Sequence, residues 1–203
     1  MHWWWLTIAN KKTKDKYATI LSAAVKVMGE SGYHGAPISR IAREAGVADG
    51  TVYLYFKNKE DILISILRVT IGDIVEQILI QYKRLEDKPI DALHAIVSIY
   101  FRTLGSDTNL ATVTQVHLRQ TDAEMRRKIG EIMRPFQQII AKTIDRGVEK
   151  GVFRETIDRR IARRMIFGTL DETVTAWILS GAKYDLISLI DPVCDVLVNG
   201  LKA

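Results

Sequence analysis

Apolar residues recur at three- and four-residue spacing along most of the chain, and no run alternates apolar with polar as a half-buried strand would. Between Lys14 and Ser31, Tyr17, Ile20, Leu21, Ala24, Val25 and Met28 lay one stripe along a helix that Gly32 stops. After Gly32-Tyr33-His34-Gly35-Ala36, Pro37 pre-sets a first-turn dihedral, and Ile38, Ile41, Ala42 and Ala45 keep helical spacing until Gly46. A third short helix is expected from Asp49 to Tyr55, with Asp49 able to cap it and Val52 and Phe56 on one face. From Lys59 to Glu86 the apolar residues cover too wide an arc for a surface helix, so this segment predicts a helix that leaves a small front domain and enters the core of a second. Pro89 marks its end. Further helices are expected at 90–104, 110–120, 122–149, 158–179 and 186–201, punctuated by Gly, Asp or Asn. The pattern predicts an all-α protein of about nine helices.

Composition narrows the class. The 203 residues are 47% hydrophobic and 26% charged, with 4 Pro and 13 Gly, which excludes wholesale disorder and collagen-like repeats. The single cysteine, Cys194, cannot form an intrachain disulfide or by itself a Cys-based zinc site, so a reducing cytoplasm is the expected compartment and core filling its expected role. The longest comparable run, Ala95 to Phe101, still contains Ser98 and is far short of the ~18 residues that a membrane span needs, so no membrane association is expected. Residues 1–10, with Trp3-Trp4-Trp5, lack the charged flank and cleavage site of a signal peptide and are expected to be an unstructured tail; an aromatic arm touching a partner is the sharper reading. Formal charge is +5, of which +3 falls within the first 67 residues, so the basic excess is denser at the front.

That front segment carries the most specific chemistry. Two short helices joined by the Gly-containing turn Ala45-Gly46-Val47-Ala48, beneath a longer first helix, form the helix-turn-helix arrangement. Gly50 and Thr51 are small enough at the start of a recognition helix for its end to approach base edges, and Thr51 can donate, accept or set its methyl against a thymine. Tyr53 and Tyr55 would reach phosphates with their hydroxyls. Ser39 sits near the free N–H groups at the start of the second helix, while Arg40, Lys57 and Lys59 supply positive charge. Asp49 is unusual beside a phosphate backbone and is read as a cap or as an acceptor for cytosine N4.

Thr51-Val52-Tyr53-Leu54-Tyr55-Phe56, followed by Lys59-Glu60-Asp61-Ile62-Leu63, resembles the signature of the TetR family of bacterial transcriptional regulators. The resemblance implies a three-helix DNA-binding domain over 11–58, a ligand-binding and dimerisation domain over 59–203, and a homodimer that leaves a palindromic double-stranded operator when a small molecule binds. It places Ser39, Gly50, Thr51, Tyr53, Tyr55 and Lys59 at positions that usually touch DNA.

The second domain must be read from its lining. Its helices supply Leu, Ile, Val, Met and Phe with few aromatic or acidic residues suited to a flat drug or a cation, so a long aliphatic guest is expected. Candidate lining residues are Ile74, Ile78, Leu104, Val113, Phe136, Ile140, Phe167 and Leu170, with His117 and Arg119 beside an anionic head group; core packing competes for each apolar one. Val113-Thr114-Gln115 and Leu118-Arg119-Gln120, with Met165 to Thr175 and Lys183-Tyr184-Asp185-Leu186, resemble the FadR-type regulators of fatty-acid degradation in Bacillus-like bacteria. That resemblance implies a repressor of β-oxidation genes released by a long-chain acyl-CoA or fatty acid as effector, with no cofactor. Phe167, Leu170, Val174, Trp177 and Ile178, with Leu186, Leu189, Ile190, Val193, Val196 and Leu197, are expected to pair two copies through a four-helix interface. No catalytic or metal site is expected: the chain lacks a Gly-x-Ser-x-Gly elbow and a phosphate loop, and His2, His34, His94 and His117 are scattered. The alternatives are a repressor sensing a hydrophobic xenobiotic and an enzyme or carrier acting on acyl-CoA.

Overall fold

The computed structural model describes residues 11–117 and 123–203, with side chains except those of 11–14, Val116 and His117. The expectations for residues 1–10 and for Arg119 lie outside the described residues. The chain divides into two compact units, the first ending at Ile66 and the second beginning at Leu67. Among the described residues there are nine α-helices and no strand.

The first unit holds α1 (Lys11–Ser31), α2 (Ile38–Glu44), α3 (Asp49–Tyr53) and the start of α4 (Lys59–Leu85). Ile20, Ala24, Ile41, Ala42 and Val52 are fully buried, and the Tyr17 ring stacks on Phe56 at 5.0 Å. The turn between α2 and α3 is built by its backbone. Gly46 adopts φ +66, Val47 N donates to Ala42 O (3.0 Å) and Gly46 N donates to Arg43 O (3.2 Å), the paired bonds of a Schellman stop. Glycine reaches that left-handed conformation without the steric cost that a Cβ brings. The cap of α3 differs from expectation: Ala48 is the N-cap, without a side-chain bond, and Asp49 is the first helical residue. A carboxylate there still suits the positive end of the helix, but it does not cap. The third helix also ends sooner, at Tyr53, because Leu54 N turns to Thr51 O (3.2 Å) and Tyr55 N to Val52 O (3.0 Å), tightening the last turn.

Asn58 starts α4: its Oδ1 accepts from Asp61 N (2.8 Å), while the Asp61 carboxylate reaches back to Lys57 N (3.0 Å), a reciprocal arrangement akin to a capping box. The helix has 27 residues, roughly 40 Å at 1.5 Å per residue, and runs across the division between the units. Residues 62–67 are buried on every face, as the wide apolar arc predicts.

In the second unit α5 (Pro89–Gly105) is the central pillar, packed by α6 (Thr108–His117), α7 (Ala123–Glu149), α8 (Arg159–Leu179) and α9 (Ile190–Leu201). Ten residues of α5 are buried, Leu93, Ile96, Val97, Tyr100, Phe101 and Leu104 completely. Helix α7 continues through Pro135, which stands exposed while Met133, Phe136 and Ile140 are buried around it, so tertiary packing overrides the lost backbone bond. Asp158 caps α8, accepting from Arg160 N (2.9 Å) and Ile161 N (3.1 Å). The last helix is not continuous from Leu186: a 3-10 turn (Leu186–Leu189), capped by Asp185, precedes α9. Of the residues expected to pair two copies, Leu170, Val174, Trp177, Leu186, Ile190 and Leu197 are buried within the chain, which leaves only Phe167, Ile178, Leu189 and Val193 half-buried and Val196 exposed. The faces of α8 and α9 turned away from α5 carry Ile161, Met165, Leu179 and Val196 instead.

Candidate nucleic-acid interface and sensor core

Around α2 and α3 the buried and exposed residues separate cleanly. Val52 and Phe56 anchor α3 from below, and Ser39, Asp49, Gly50, Tyr53 and Lys57 are exposed, with Thr51 and Tyr55 half-buried. Tyr53 is 57% exposed and Leu54 82% exposed, an unusual pair of large side chains to leave in water. A Cβ on Gly50 would meet nothing, so this end of the helix offers an open approach. The cations differ in their commitments. Arg40 Nη2 donates to Glu30 Oε2 (3.2 Å) and Lys26 pairs with Glu44, both bridges spanning separate helices at the surface. Lys59 Nζ donates to Tyr33 O (2.7 Å) and His34 O (3.5 Å) and lies 4.5 Å above the Tyr33 ring, which fastens the turn after α1 to the start of α4. Lys57 has its backbone N–H tied to Asp61 and is exposed.

In the second unit, Ile74, Ile78, Leu104, Val113, Phe136, Ile140 and Leu170 are each 0 or 1% exposed. Phe167 is half-buried, its ring edge-on to Phe136 at 6.2 Å. His117 ends α6, with its side chain outside the described residues. Within this apolar interior lies a polar group that a helical-periodicity reading hides. Tyr100, fully buried, stacks on Phe136 (5.5 Å between centroids, 20° between planes) and accepts at Oη from Gln115 Nε2 (3.2 Å). Thr175 Oγ1 stands 3.5 Å from Gln115 Oε1 while donating to Asp171 O (2.9 Å). Burial, and then the charge of Asp171, hold the Tyr100 phenol well above its ordinary range, while the Gln115 bond opposes them. Cys194 is buried, its thiol pushed up to about 11 by burial and then by Asp191. Among the described residues no cluster of His, Cys, Asp or Glu could hold a metal, and no helix is long and apolar enough to cross a membrane.

Residues 20–66 match the family described as bacterial regulatory proteins of the tetR family, and residues 67–200 match the C-terminal region of YsiA-like proteins. The chain belongs to the TetR family. Over 191 residues it is 45% identical to the fatty acid metabolism regulator protein of Bacillus subtilis, covering 94% of this chain and 98% of that one. It also matches the crystal structure of the transcriptional regulator FadR from Bacillus subtilis in complex with stearoyl-CoA, with a TM-score of 0.85 and 45% identity over 91% of this chain and 99% of the other. The fatty acid degradation regulator FadR from Bacillus halodurans matches with a TM-score of 0.84 and 44% identity, over 92% and 100% of the two chains.

In this TetR-family chain the motif Thr51 to Phe56 therefore carries two sorts of residue: Val52 and Phe56 hold the helix down, and Thr51, Tyr53, Leu54 and Tyr55 are what it presents. From the sequence Leu54, an apolar residue between two apolar anchors, reads as packing. Tyr100 falls within the mostly apolar run Ala95 to Phe101, and only its pairing with Gln115, fifteen residues later, shows it as polar.

Proposed function

We propose that this chain is a TetR-type repressor of fatty-acid degradation genes, working in the cytoplasm as a dimer and released from its operator by long-chain acyl-CoA. The observation that carries this reading is a buried, largely apolar interior joined by one unbroken helix to a helix-turn-helix. Ile74 and Ile78 of that interior stand on the same helix as Lys59, which fastens the front unit. The full-length similarity to the fatty acid metabolism regulator, whose structure is known with stearoyl-CoA, supports the choice of effector. Thr51, Gly50 and Tyr53 would enter the major groove, with Ser39, Arg40, Tyr55, Lys57 and Lys59 towards phosphates and Asp49 towards a base edge. The acyl chain would lie among Ile74, Ile78, Leu104, Val113, Phe136, Ile140, Phe167 and Leu170, with His117 and Arg119 towards the head group.

Release is a population shift. A guest that binds better when α4 has one tilt favours that tilt, and the two recognition helices of a dimer then leave the spacing of about 34–36 Å between successive major grooves. The dimer would form on the outer face of α8 and α9, where Ile161, Met165, Ile166, Val196 and Leu197 line a groove of about 480 Å³. Fluorescence anisotropy with promoter fragments of β-oxidation genes tests the whole reading: stearoyl-CoA reverses binding, and neither acetyl-CoA nor free CoA does. Absence of binding at low salt, or equal reversal by all three, refutes it. Met165→Glu, exposed in the chain, is expected to give a monomer in sedimentation with unchanged helicity.

A further inference from the structure

The Tyr100, Gln115 and Thr175 group is costly to bury and is not needed to fill space, since a phenylalanine and a leucine would pack the same volume. Its hydrogen bonds do not close on themselves. With the Gln115 amide donating to Tyr100, as placed at 3.2 Å, the phenol's own proton has no acceptor among the described residues, because Tyr100 makes no other hydrogen bond. With the amide turned over, Tyr100 donates to its oxygen, and the amide nitrogen faces Thr175 Oγ1 at 3.5 Å with its second hydrogen unspent. In either orientation the surplus is a donor.

We infer that Tyr100 and Gln115 hold the thioester carbonyl of the acyl-CoA effector, donating to its oxygen within the apolar interior. This rests on the acyl-CoA reading above and adds the residues that recognise the reacting group of the ligand rather than its chain. A carbonyl is a neutral acceptor with no hydrogen of its own, which matches a surplus donor in a dry site. A carboxylate matches less well, because Asp171 already brings negative charge close enough to raise the Tyr100 phenol, and a second anion there would be both desolvated and repelled. Geometry gives the ligand a direction. Tyr100 stacks on Phe136, which meets the half-buried Phe167 edge-on, so on one side the polar group abuts the aromatic residues of α7 and α8. On the other side stand Thr175 and Asp171 of α8, both half-buried. Gln115 also stands two residues before the end of α6, and α7 carries in its first turns the exposed Arg126 and Arg127, the latter paired with Glu131, cations of the kind the phosphates of CoA need.

The test removes the hydrogen bond from each end. Calorimetry on the full-length protein compares octadecanoyl-CoA with S-octadecyl-CoA, the thioether in which a methylene replaces the carbonyl. The wild type is expected to bind the thioester about tenfold more tightly, the worth of one buried hydrogen bond of ~1.4 kcal/mol. In Tyr100→Phe that ratio falls to about one through loss on the thioester side alone, and unchanged thioether affinity shows that the pocket is still formed. Gln115→Met lowers the same ratio and gives a second measurement should Tyr100→Phe fail to fold. Equal affinity of the wild type for the two ligands overturns the inference while leaving the acyl-CoA reading standing, as does a Tyr100→Phe variant that weakens both ligands alike. Binding of neither ligand to the wild type brings down both.

Discussion

Gly147 stands in the last turns of α7, where an alanine would ordinarily help a helix by ~1 kcal/mol. Here it faces the ring of Phe153. A Cβ on Gly147 would lie 2.7 Å from Phe153 Cγ and closer still to Cδ2 and Cε2, inside the ring's van der Waals surface. Phe153 cannot easily retreat: it is 1% exposed, its backbone N donates to Gly147 O at 3.0 Å, and it bridges to Lys202 at the end of α9. Overpacking of this kind costs ~1–3 kcal/mol, and displacing the ring into solvent forfeits ~1.5–3 kcal/mol of burial. Against the helix-propensity gain, Gly147→Ala is therefore expected to destabilise the second unit by ~2 kcal/mol, lowering Tm by about 4–8 °C for a chain of this size. Circular dichroism melts read it directly. The decisive variant is the double one: with Phe153→Leu already present, Gly147→Ala should cost far less than it does alone, because the two substitutions act on one contact. A single variant that melts at or above the wild type, or additive effects in the double, would refute the argument.

At the front unit, Lys57→Gln is expected to weaken operator binding uniformly across sequences and to reduce the slope of log K against log salt by about two for a dimer, one phosphate contact per copy; an unchanged slope in a titration from 50 to 200 mM salt would contradict a phosphate role. Stability should fall on acidification for two named reasons. Asp87 is held below the ordinary carboxylate range by its bonds from Lys150 and Arg146, and Asp158 by the N–H groups of Ile161 and Arg160. A carboxyl depressed in the folded state adds stability at pH above its unfolded value and loses it as pH drops through the folded one, so Asp87→Asn with Asp158→Ala should lower Tm at pH 7 and flatten its decline below about pH 4.

What the sequence could and could not disclose divides along a physical line. A helix that must bury one face repeats its apolar residues near 3.6, so Tyr17 to Met28, Ile38 to Ala45 and the long run after Lys59 declare themselves, and Gly46 declares the stop between α2 and α3 because its φ of +66 suits no other residue as well. Periodicity names the apolar face, however, and not the neighbour that covers it. The pattern assigns Val174 and Trp177 to a surface for a second copy, and the structure turns both inward, Trp177 even tying its indole N–H to Tyr184 O at 2.8 Å. The same limit hid Tyr100. On a helix as apolar as α5, a phenol counts as one more ring until a second helix brings Gln115 to it, and that meeting is a fact of tertiary packing written in neither segment. A one-residue shift, finally, decides whether Asp49 caps α3 or begins it, and local spacing does not resolve a single residue at a helix end. Side chains that declare a helix are thus legible one segment at a time, whereas buried polar pairs depend on two segments meeting. For that reason the front motif can be read from the chain alone, while the Tyr100–Gln115 pair exists only where α5 and α6 meet.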